Sequence, residues 1–109
     1  TRVLVVSWVA FHSGWVAPLE QLGRLARELG TWFVVDGVHG LGVVPLVFRK
    51  VPVDALVAGA HTWLLGPPGV GLLATTPRLL GQLQPPVDRR LEGTSAWLRV
   101  VREKNGGPA

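Results

Sequence analysis

Hydrophobic and polar positions alternate between two periods along this chain. The run from Arg2 to Val9 (RVLVVSWV) is β-branched and almost continuously apolar, the pattern of a strand buried on both faces of a parallel sheet. Ser13 and Gly14 close it. From Pro18 the period changes: Leu19, Leu22, Leu25, Ala26 and Leu29 fall at helical spacing, with Glu20, Arg24, Arg27 and Glu28 on the other side. Pro18 suits the first turn of that helix and Gly30 its C-terminal cap. Trp32 to Val35 (WFVV) then predicts a second short buried strand ending at Asp36. Strand, helix and strand in this order make a βαβ unit, with parallel strands and a right-handed crossover.

Further along, a glycine-punctuated loop from Gly37 to Gly42 leads into a Val/Pro/Leu stretch with room for one helical turn before Val53. Asp54 to Ala60 (DALVAGA) reads as a third strand, Gly66 to Gly69 (GPPG) as a tight turn, and Val70 to Thr75 (VGLLAT) as a strand returning from it. Pro77 opens a helix expected to run through Leu83. After Pro85 and Pro86 the apolar pattern thins, and Asn105 to Ala109 (NGGPA) is expected to fray.

Composition narrows the choices. The chain has 109 residues, 48% of them apolar and 17% charged, enough for one hydrophobic core and far from the balance that keeps chains disordered. It opens at Thr1 just ahead of the first strand, as an excised piece or a processed terminus would. It has no cysteine, which excludes disulfides, thiolate metal sites and cysteine nucleophiles. The stretch from Ala55 to Pro77 carries no formal charge, but Pro67, Pro68 and four glycines interrupt it, so it is not read as a membrane span. No basic-then-apolar leader precedes the first strand, and a cytoplasmic location is expected. The net charge of +4 invites a nucleic-acid reading. From Arg78 onward, however, six basic and three acidic residues supply +3 of it, with no interleaved aromatic platform for stacking bases. A solvated basic tail is the better account.

Open α/β sheets hold their ligands at the C-terminal ends of parallel strands. Here those ends carry Asp36 and His39 after the second strand, and His61 and Thr62 after the third. Two histidines and an aspartate could ligate a metal, but none of the spacings is a metal pattern, and no metal is expected. The alternative for His39 is a loop residue beside a glycine turn; for His61 it is a satisfied, half-buried histidine.

These residues also carry a family resemblance. Asp54-Ala-Leu-Val-Ala-Gly-Ala-His61-Thr62, followed by Gly69-Val-Gly71-Leu-Leu73, resembles the signature of the class V aminotransferases, with isopenicillin epimerases and cysteine desulfurases among the relatives. Asp36-Gly-Val-His39-Gly40 is similar to that family's Asp-x-x-Gln/His element, and Ser13-Gly14 with Pro18-Leu19 to the strand-to-helix junction before it. The resemblance implies an α/β fold: a partial mixed, mostly parallel sheet with flanking helices, a fragment of the large domain of the aspartate-aminotransferase-type fold. Residues 1–83 would form the partial cofactor domain and 84–109 a basic tail or linker, partly helical and then frayed.

The family's cofactor is pyridoxal phosphate and its substrates are amino acids. By resemblance, Asp36 would sit beside the pyridine nitrogen and keep it protonated. His39 would lie near the phenolic oxygen, His61 would precede the Schiff-base lysine, and Gly59 takes a place where relatives use Ser or Thr to hold the phosphate. Thr62 stands at the lysine position. A hydroxyl forms no imine, and neither Lys50 nor Lys104 falls at that place. Phe11 stands near a place where many relatives present a polar contact. Glu92-Gly93-Thr94 resembles a Gly-Thr element that relatives place across a dimer interface, with a helix N-cap at Thr94 or Ser95 as the alternative. Relatives are several-fold longer and bring the rest of the pocket from elsewhere. The reading is therefore a fragment or degenerate member, inactive as this chain, with cofactor binding in doubt. The alternatives are a non-catalytic structural or interaction protein that kept the sheet and, less favoured, a basic nucleic-acid-associated protein. Cut sheet surfaces imply self-association or a covering partner.

Overall fold

The computed structural model describes residues 1–84. The basic tail beyond them and the Glu92-Gly93-Thr94 element lie outside the described residues. Four strands form one sheet in the order β1 (Val3–Ser7), β2 (Trp32–Asp36), β3 (Ala55–Gly59) and β4 (Gly71–Thr75). The first three are parallel, with Ser7, Asp36 and Val57 level across the sheet, and β4 returns antiparallel to β3. This mixed, mostly parallel sheet with helices beside it is the expected architecture. The predicted strands are trimmed at their ends, and the helix expected to run from Pro77 to Leu83 stops sooner, as α2 (Pro77–Leu80). The turn expected before Val53 is a single 3-10 turn, Phe48–Lys50.

The crossover helix α1 (Leu19–Glu28) connects the C-terminal end of β1 to the start of β2. Gly30, at φ +64°, follows it in the left-handed conformation that favours glycine at a helix C-terminus. Its buried stripe differs from the leucine pattern: Leu19, Gly23 and Ala26 are buried, whereas Leu25 and Leu29 are exposed. The cause is a contact distant in sequence. Pro52, on the connection into β3, packs so closely on α1 that a β-carbon at residue 23 would collide with its carbonyl oxygen and lie 2.8 Å from its Cγ. The helix therefore turns its glycine, not Leu25, toward the body of the protein.

The core lies between α1 and one face of the sheet. Phe33, Val35 and Leu56 are fully enclosed there, with Trp8, Ala17 and Val53 around them. Burying each of the three larger side chains contributes about 1.5–3 kcal/mol. Asp54 ties the strand starts together: its carboxylate accepts the Phe33 N–H at 2.9 Å, and its own N–H donates to the Phe33 carbonyl at 2.9 Å.

The other face of the sheet is open, which corrects the expectation that the first strand is buried on both sides. Val3 and Val5 of β1 are 48% and 64% exposed, and Val57 and Leu73, on the same face by register, are 46% and 48% exposed. Successive strand residues point to opposite faces, and among the described residues only one side has a helical layer. Arg78 reaches part of the open face: its guanidinium lies 4.1 Å above the Trp32 ring and 3.4 Å from Asp54 Oδ1.

Replacing Gly23 with alanine separates helix propensity from packing. Alanine favours a helix interior over glycine by about 1 kcal/mol, but crowding against Pro52 opposes it by about 1–3 kcal/mol. Gly23→Ala is expected to lower the midpoint of urea unfolding, whereas Leu25→Ala, at an exposed position, should shift it by less than about 1 kcal/mol.

Candidate cofactor site

Parallel pairing brings the polar residues at the strand ends into one cluster. At the end of β2 the Asp36 carboxylate is held at both oxygens: the Ser7 hydroxyl donates to Oδ2 at 3.3 Å, and the Val38 N–H donates to Oδ1 at 3.0 Å. The second bond closes a turn of Asx type, for which aspartate just past a strand is suited. Asp36 remains exposed, so its carboxylate is fixed in direction and still reachable.

The loop after β2 winds as a pair of turns, with Gly40 and Leu41 N–H groups donating to the Gly37 carbonyl. This places His39 against Phe11, from the loop after β1, with ring centroids 5.1 Å apart and planes tilted by 37°. Phe11 also meets His12 edge-on at 5.2 Å. An apolar ring thus lies beside the imidazole.

Beyond β3 the chain turns over itself, with the Gly66 N–H donating to the Ala60 carbonyl at 2.7 Å and the Ala60 N–H to the Val70 carbonyl at 2.9 Å. Inside that turn the Thr62 hydroxyl donates to the Val38 carbonyl at 2.8 Å, joining the β3 loop to the β2 loop. The His61 imidazole folds back beside Gly59: a β-carbon there would lie 2.7 Å from its Cε1 and 2.9 Å from its Nδ1. The imidazole occupies the room a side chain at 59 would need.

Of the predicted residues, Gly59 and His61 lie against each other and Thr62 bridges the two loops, whereas Asp36 is held by Ser7 and Val38 and His39 lies against Phe11. Sequence reasoning passed over Ser7 and the Val38 peptide, the two groups that aim Asp36. Ser7 could have been found by placing the two parallel strands in register, since Ser7 faces Asp36 directly. No group of three or more His, Asp or Glu residues is arranged to hold a metal ion among the described residues. No helix among them is long and apolar enough to cross a membrane.

The site's donors fit pyridoxal phosphate in one respect and not in another. A reachable carboxylate fixed by two donors suits a protonated ring nitrogen. The position next to His61 offers a hydroxyl already engaged by a backbone carbonyl, and that does not suit covalent attachment through an imine.

A mixed sheet with its polar cluster at parallel strand ends defines a piece of an aspartate-aminotransferase-type, pyridoxal-phosphate-dependent fold, and comparison with known proteins bears this out. The family model described as aminotransferase class-V matches residues 1–93, and the chain belongs to that family. It is similar to isopenicillin N epimerase of Streptomyces clavuligerus, 38% identical over 109 residues, covering all of this chain and 26% of that protein. It is similar also to a probable cysteine desulfurase of Aeropyrum pernix, 36% identical over 80% of this chain and 21% of the relative. The solved structure of the cystine C-S lyase C-DES in complex with its reaction product, cysteine persulfide, superposes with a TM-score of 0.74 at 31% identity, over 78% of this chain and 23% of that one. The chain thus spans about a quarter of the length of these relatives.

Two substitutions probe the site without any ligand. Thr62→Val removes the donor to Val38 and is expected to cost about 1 kcal/mol in urea unfolding. Gly59→Ala needs His61 to move, and because that imidazole is exposed the stability change should stay under about 1 kcal/mol while the His61 proton resonances shift.

Proposed function

We propose that residues 1–83 are part of the cofactor domain of a class V aminotransferase-type protein, and that this chain has lost the covalent attachment of pyridoxal phosphate. The observation that carries the reading is the Thr62 hydroxyl, which stands where the resemblance puts the lysine and donates to Val38 at 2.8 Å. When bound, pyridoxal phosphate supplies an electron sink for bonds at the α-carbon of an amino acid.

The chain's own residues would do the following. Asp36, aimed by Ser7 and Val38, holds a proton at the pyridine nitrogen. His39 offers a hydrogen bond to the phenolic oxygen, with Phe11 beside it. His61 would precede the attachment position, and its imidazole takes the room of a side chain at Gly59, the position where the resemblance puts a phosphate contact. No residue among them supplies the amine that both anchors the cofactor and carries a proton at the substrate carbon. The chain therefore orients a cofactor ring without turning over an amino acid.

The open sheet face supports a second part of the proposal: the chain works covered, by another copy of itself or by another protein layer. Val3 and Val5 of β1, Val57 of β3 and Leu73 of β4 expose apolar side chains on one face, with half-buried Val34 of β2 beside Val5. Sedimentation velocity of the 109-residue chain is expected to show association that weakens in a Val5→Thr, Val57→Thr double variant. A monomer at every concentration would overturn this part.

The attachment step is tested by adding pyridoxal phosphate to the native chain and to Thr62→Lys. The variant alone should acquire a visible absorption band and a borohydride-reducible bond mapped to residue 62. A stable band in the native chain, mapped to Lys50 or Lys104, would refute the reading.

A further inference from the structure

The turn after β3 fixes Thr62 from two sides. Its hydroxyl donates to the Val38 carbonyl oxygen at 2.8 Å, and its own carbonyl accepts the Leu65 N–H at 3.1 Å. Leu65 has φ 53°, the left-handed conformation that a β-carbon disfavours, and it is the one non-glycine residue with positive φ among the described residues. Its side chain is 89% exposed, so core packing does not account for that conformation. Backbone held in a sparsely populated region gathers where a site must keep one arrangement. What this turn keeps is the placement of the Thr62 oxygen.

A hydroxyl has one proton and two lone pairs. A carbonyl oxygen only accepts, so the Thr62 proton is committed to Val38. What remains at Oγ1 is acceptor capacity, and Thr62 is only half-buried. Charge along this edge has the matching sense. The loops that leave the strand ends, residues 8–18, 37–47 and 60–70, contain no Lys, Arg, Asp or Glu. With histidine counted as neutral, the formal charge at the ends of β1, β2 and β3 is the exposed Asp36 carboxylate. An acceptor-only oxygen at a negative edge favours a donor that is also a cation, and disfavours a carbonyl group, which brings a second acceptor.

Two forms of the family's cofactor differ at one carbon in this respect: the aldehyde presents a carbonyl there, and the amine presents an ammonium. We propose that the site selects the amine form, pyridoxamine phosphate, held without a covalent bond, with Thr62 Oγ1 accepting from its ammonium group and Asp36 at its ring nitrogen. The inference rests on the reading of residues 1–83 as part of a cofactor domain with residue 62 at the attachment position. It goes beyond that reading, because the threonine that removes the attachment also decides which form of the cofactor is held.

The test is equilibrium dialysis of the 109-residue chain against pyridoxamine phosphate and against deoxypyridoxine phosphate, which carries a methyl group in place of the aminomethyl. Neither ligand has an aldehyde, so neither forms an imine with Lys50, Lys104 or the N-terminus. The native chain is expected to hold the amine about tenfold more tightly, the scale of a hydrogen bond to a charged group. Thr62→Val should bring the ratio near one. Thr62→Ser, which keeps a hydroxyl for Val38, should preserve it, and Asp36→Asn should weaken both ligands alike. Equal binding of the two ligands by the native chain, or a preference that survives in Thr62→Val, would overturn this inference and leave the cofactor-domain reading standing. Binding of neither ligand, or of both unchanged in Asp36→Asn, would sink that reading and this inference with it.

Discussion

The parallel pairing of β1, β2 and β3 is the constraint on which the other features depend. A parallel ladder brings strand ends of the same polarity to one edge, and the register here sets Ser7, Asp36 and Val57 level. Every loop leaving that edge then emerges within reach of its neighbour. The two loops that carry His39 and Thr62 are consequently close enough for a side-chain hydroxyl of one to bond a peptide carbonyl of the other. Parallel pairing also demands a crossover, and α1 provides it while covering Phe33, Val35 and Leu56. The same connection thus builds both the core and the polar edge.

Much of this was legible in the sequence because the features are local. Val-rich runs of strand length, a helical stripe between them, and an aspartate where the second run stops all lie within a few residues of what defines them. GPPG between two apolar runs sufficed for the β3–β4 hairpin. The failures involve partners distant along the chain. Leu25 and Leu29 match a helix stripe as well as Leu19 does, and only the approach of Pro52 to Gly23 decides which of them faces inward. Ser7 is an unremarked polar residue in an apolar run until the register shows what stands opposite it, 29 residues away. β1 reads as buried on both sides because the composition of a strand records the environment it suits, not the layers actually placed on it.

The site divides similarly. Position at a strand end was readable from pattern alone, and the structure gives Asp36 two donors that make it a directed carboxylate. Pattern could not separate the histidines from one another. His39 lies against an aromatic ring and His61 against a glycine, and those surroundings come from three different loops. Family membership then supplies meaning to positions that geometry only gathers. At Thr62 the two sources meet, since the hydroxyl takes a structural bond at a place where the resemblance calls for an amine.

The one-sided sheet has a thermodynamic consequence. Urea sensitivity and the heat-capacity increment of unfolding both scale with the surface newly exposed when the chain unfolds. A sheet already wetted along Val3, Val5, Val57 and Leu73 has less surface left to expose. The lone chain therefore unfolds over a broader span of denaturant than a domain of its length layered on both sides, and whatever covers that face sharpens the transition as well as raising it.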